Sequence, residues 1–115
     1  MTTEKIRAYA LSFPAATQDI KWEDHLCFTA GGEMFLVTVP DQLPVSASFK
    51  TSDADFEAMV VREGIIPAPY MARNKRLLVD DLKRLNAEEW KTAIANSYAL
   101  AFSKLTQKLQ AAIGS

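Results

Sequence analysis

His25 and Cys27 stand two residues apart in a strand-like segment, so their side chains share a face. A thiolate beside an imidazole is the pairing of a cysteine nucleophile. No third group is placed to orient the imidazole, and a buried structural cysteine next to a surface histidine accounts for the same residues. Glu23-Asp24-His25 and Asp80-Asp81 are the runs where metal ligands adjoin. Neighbours on an extended chain point to opposite faces, so neither run is expected to close on one ion. The glycines, Gly31, Gly32, Gly64 and Gly114, form no phosphate-cradling loop. The expectation is a protein that is not an enzyme and has no cofactor or metal.

A different chemistry is offered by Gly64-Ile65-Ile66-Pro67-Ala68-Pro69-Tyr70 and the run that follows, Arg73-Asn74-Lys75-Arg76. Two prolines near a glycine specify an ordered, non-helical corner. If its cations project outward as a group, they can displace counterions from a nucleic-acid backbone, although three such charges give only weak, salt-sensitive, sequence-independent binding. A solvated turn explains the same residues. Tyr70 is the aromatic placed to stack beside them, whereas Trp22, Phe28, Phe35, Phe49, Trp90, Tyr98 and Phe102 fall mostly at periodic positions and are expected to pack. Asn96-Ser97-Tyr98, inside the last helical segment, is the other polar step that stands out.

Charge supports neither extreme. The net charge is -1 and the pI about 5.8, which is not the balance of a strong nucleic-acid binder. Its distribution is uneven: residues 1–61 carry four basic and nine acidic side chains, residues 62–115 nine and five. A basic face, or two late helices with solvated lysines, would each produce that asymmetry.

At 115 residues the chain is expected to form one domain, residues 1–115. A lone cysteine excludes an internal disulfide framework and fits a reducing compartment. The opening Met1-Thr2-Thr3-Glu4-Lys5 does not read as a secretory signal, and the apolar run at Met34–Val39 is far short of a membrane span. A cytoplasmic, soluble protein with no membrane partner is expected.

Several elements must position these residues. Thr2 or Thr3 caps a first helix with Ile6, Tyr9, Ala10 and Phe13 on one face, stopped by Pro14. A strand-like run near Ile20–Asp24 carries Trp22. Leu26–Thr29 and Met34–Val39 flank Gly31-Gly32 as a tight hairpin, and Val45–Lys50 alternates as a further strand. Ser52 caps a second helix with Phe56, Met59 and Val60, ended by Gly64. A short strand is possible at Tyr70–Ala72, and Leu77-Leu78-Val79 reads as a buried strand. Asn86 and Glu89 form a capping box for a final helix whose stripe runs Trp90, Ile94, Ser97, Ala101, Leu105, Leu109. The order α-β-β-β-α-β(β)-α predicts an α+β fold, a two-layer arrangement with a mostly antiparallel sheet.

Pro14, Trp22, the Phe28…Gly31-Gly32…Met34-Phe35 hairpin, Ser48-Phe49-Lys50, Gly64-Ile65…Pro67-Ala68…Tyr70 and Ser97-Tyr98…Lys104-Leu105 together resemble the MmcQ/YjbR family of small bacterial proteins. The resemblance spans nearly the whole chain and rests on order and spacing. It implies a two-layer α/β fold similar to secretion chaperones and frataxin-like proteins, and a double-wing DNA-binding role. Carried over, it implies DNA contacts from Lys50, Arg73 and Lys104; local charge adds Lys75 and Arg76. Two positions depart from the family pattern: Glu33 replaces a usual lysine at the hairpin, and Leu77 replaces a common tryptophan. A carboxylate at a wing tip repels phosphate. The implied partner is double-stranded DNA; the alternative is a protein or peptide partner with no nucleic-acid role.

Overall fold

A computed structural model of the chain describes residues 1–68 and 75–114. The elements run α1 (Thr3–Leu11), β1 (Ala16–Lys21), β2 (His25–Ala30), β3 (Glu33–Val39), β4 (Ser46–Lys50), α2 (Asp53–Val60), β5 (Ile65–Pro67) and β6 (Arg76–Val79). A 3-10 turn (Leu82–Arg84), α3 (Ala87–Ser103) and α4 (Gln107–Gly114) follow. Among the described residues the strands form one sheet in the order β1-β2-β3-β4-β6-β5, with antiparallel neighbours throughout. The expected α+β fold is the one observed.

Local chemistry sets the boundaries. Thr2, Ser52 and Asn86 each accept a backbone N–H three residues on, and Asn86 and Glu89 complete the expected capping box. Gly31 and Gly32 turn the β2–β3 hairpin with φ of 59° and 90°, the pair of positive angles that a two-residue turn requires.

Helices α1, α2 and α3 pack on one side of the sheet. Its core holds Phe28, Phe35, Leu36, Phe49, Leu77 and, from α3, Trp90 and Ile94. Trp90 meets Phe49 edge-to-face, and its Nε1 donates to the Leu82 carbonyl at 2.7 Å. Leu77, the departure from the family tryptophan, is fully buried here. A bulge in the β2–β3 ladder leaves Phe35 between the pairs Phe28↔Leu36 and Thr29↔Met34, so Phe35 and Leu36 both enter the helix-side core.

Three boundaries differ from expectation. The first strand is Ala16–Lys21 rather than Ile20–Asp24, and Trp22 and Glu23 form the turn after it with φ of 52° and 71°. Ile65–Pro67 is itself a strand, at the sheet edge where proline costs no ladder hydrogen bond. The last helix is two: α3 ends at Ser103, and Thr106 Oγ1 accepts the Leu109 N–H to start α4. The strand considered at Tyr70–Ala72 lies outside the described residues.

Candidate functional site

Register decides where the cations go. Lys50 and Arg76 are directly paired across β4 and β6, on the sheet face opposite the helices, next to the pair Ser48↔Leu78. Both are buried, at 8% and 5% exposure. The Arg76 guanidinium does not project from the corner: its Nη2 donates to the Met34 carbonyl at 2.5 Å. Its Nη1 is buried and has no hydrogen-bond partner among the described residues. Lys50 Nζ lies 3.9 Å from Glu33 Oε2. Lys104 caps the C-terminus of α3 and is exposed.

These groups sense one another. Burial pulls the Lys50 ammonium below its usual range, and the like charges of Arg76 and Lys104 add to that against the opposing pull of Glu33. Arg76 is lowered by burial, again opposed by Glu33. Glu33 is thus the carboxylate that both Lys50 and Arg76 sense, and Lys104 is near enough to add its like charge to that of Lys50. Lys75 goes elsewhere. Its Nζ sits 4.9 Å from the Phe56 ring centre on α2, and its carbonyl accepts both the backbone N–H and the hydroxyl of Thr51. Asp80 and Glu63 pair with Arg84. Arg73 and Tyr70 lie outside the described residues.

The polar step in α3 is structural. Ser97 Oγ donates to the Phe35 carbonyl at 2.5 Å and accepts the Lys50 N–H at 2.9 Å, joining β3 and β4 beyond their last ladder pair, Leu36↔Phe49. Tyr98 packs among Phe13, Phe35 and Phe102 and donates its hydroxyl hydrogen to the Pro14 carbonyl.

Cys27 and His25 do not form a nucleophile pair. Cys27 is fully buried, its thiol is pushed up by burial, and Sγ donates weakly to the His25 carbonyl. His25 Nδ1 instead lies 2.7 Å from Asp24 Oδ1. Among the described residues no three His, Cys, Asp or Glu side chains gather as a metal site.

The helix-free face holds a feature that the sequence reading missed. Val37, Ser48 and Leu78 run across its centre as register partners, and a concavity of about 880 Å³ lies over them. Trp22, 63% exposed, and Leu43, 93% exposed, help to wall it. The signal available in the sequence was the Met34–Val39 run, apolar on both faces of one strand.

A family model described as YjbR matches residues 11–100. The chain belongs to the YjbR family. Among solved structures, this YjbR chain is similar to the Deinococcus radiodurans protein DR2400, described with a DUF419 domain. The TM-score is 0.88 at 21% identity, covering 98% of this chain and 88% of the other. It is also similar to a Pseudomonas syringae protein solved by structural genomics, with a TM-score of 0.72 at 20% identity, covering 88% and 99%. At such identities the likeness establishes the YjbR fold. No curated protein matches the chain. No helix among the described residues is long and apolar enough to cross a membrane.

Proposed function

We propose that this YjbR chain is a double-wing DNA-binding module that holds duplex DNA weakly through phosphates, without reading sequence. The observation that carries the reading is the pairing of Lys50 and Arg76 beside one carboxylate, Glu33, with Lys104 close enough to add its like charge to that of Lys50. Lys104 is the exposed member and makes the direct phosphate contact, joined by Arg73 from the corner. Lys50 and Arg76, held below the surface, add field rather than contacts. Glu33 at the hairpin weakens the grip, as a carboxylate near phosphate must.

Titration of a labelled duplex at about 50 and 200 mM salt tests the reading, because releasing even a few counterions makes affinity fall visibly with salt. Binding at the lower concentration that weakens at the higher one, alike for unrelated sequences, is the expected result. Absence of binding at the lower salt contradicts it.

A further inference from the structure

Glu33 opens β3 directly after the Gly31-Gly32 turn, and its side chain is 38% exposed. Its Oε2 lies 3.9 Å from Lys50 Nζ, an ion pair too long for a hydrogen bond. Lys50 Nζ makes no hydrogen bond among the described residues. Arg76 Nη1 is the one buried polar side-chain atom there without a partner, so Lys50 Nζ, equally unbonded, keeps contact with solvent. The two cations paired across β4 and β6 are therefore held differently. Arg76 is fixed through Nη2 to the Met34 carbonyl. Lys50 is fixed at its backbone, where its N–H donates to Ser97 Oγ, and its flexible stem is left to turn. Like charges on Arg76 and Lys104 press on the Lys50 ammonium, and Glu33 opposes them.

We propose that Glu33 holds Lys50 in reserve: a DNA phosphate and the Glu33 carboxylate compete for the Lys50 ammonium. In the resting chain Lys50 supplies only field. With Glu33 turned aside it joins the exposed Lys104 as a phosphate contact. The exchange is easy in physical terms. A partly exposed ion pair without a hydrogen bond is weak. Phosphate replaces one anion by another, so the cation is never left unpaired as it moves. The inference rests on the DNA-binding reading and gives the hairpin carboxylate a particular cation to govern.

The test is a double-mutant cycle between positions 33 and 50, read as the salt dependence of duplex affinity from about 50 to 200 mM. Glu33→Gln is expected to steepen the slope by about one unit, the worth of one added phosphate contact. In a Lys50→Met background the same change should leave the slope where Lys50→Met alone has it. An equal gain in both backgrounds overturns the proposal, because Glu33 then acts only by repelling DNA at a distance. A wild-type chain that binds, with a slope that Glu33→Gln does not alter, overturns it too and leaves the DNA reading standing. Binding by Glu33→Gln alone supports the proposal and removes the reading for the unmodified chain; binding by neither removes both. If Lys50→Met does not fold, acetic anhydride footprinting of Glu33→Gln replaces the cycle. Duplex should then protect Lys50 from acetylation in the variant, and absence of protection overturns the proposal.

Discussion

Ser97 shows how much one hydroxyl can hold. The bulge at Phe35 and the end of the β3–β4 ladder leave a carbonyl and an N–H in a dry region, and the Ser97 side chain answers both. Ser97→Ala is therefore expected to cost about 2 kcal/mol or more, because both backbone groups would lose their partner. Urea denaturation followed by circular dichroism measures this; a loss below a few tenths of a kcal/mol would mean that the bridge is idle. Cys27 makes a second residue-level case. Burial keeps the thiol protonated, so iodoacetamide at neutral pH should modify it slowly in the native protein and quickly in urea. The side chains of Ser97 and Cys27 were legible as buried positions, since each falls on a periodic face. The partners of Ser97 were not, because a bulge one strand away determines them.

At the scale of elements, the caps and the Gly-Gly hairpin were readable because each depends on residues within three positions of one another. The break between α3 and α4 was not. Leu105 and Leu109 continue the helical stripe and no glycine or proline interrupts it, so only the Thr106 cap marks the new start. Glu89 links α3 to the segment after α2: its carboxylate accepts from Arg62 at 2.6 Å and from the Asn86 N–H at 3.1 Å. The Arg62 bond and then the Asn86 bond hold its carboxyl below the usual range. Stability from this group is present above its unfolded pKa, about 4.3, and is lost as pH falls through the lower folded value. Glu89→Gln, which keeps the cap but loses the charge, is expected to flatten the acid limb of a stability–pH curve, by under about 1 kcal/mol at neutral pH. An unchanged limb would refute the linkage. Gly64 governs the same corner with φ of 80°, and an added Cβ would meet Asp80 Oδ1 at 2.7 Å and crowd Arg84. Gly64→Ala should therefore lower stability by more than about 1 kcal/mol, from the left-handed backbone and the displaced ion pair together. A thermal melt like wild type would contradict that.

Across the whole molecule, antiparallel strands with helices on one side followed from element order, but the role of each cation did not. Arg76 opens a four-residue strand directly after a turn, a position that reads as exposed until its pairing with Lys50 is known. Lys75, its neighbour, sits in a left-handed turn with φ of 53° and is carried toward α2. Arg76 and Lys75 thus part company, and in the proposed reading the phosphate contact falls chiefly to the exposed Lys104. The slope of duplex affinity against salt, compared between wild type and Lys104→Ala, tests this most directly. The expected result is a slope about one unit shallower, with affinity reduced alike for unrelated sequences. An unchanged slope in the folded variant would contradict the assignment of phosphate contact to this end of the sheet.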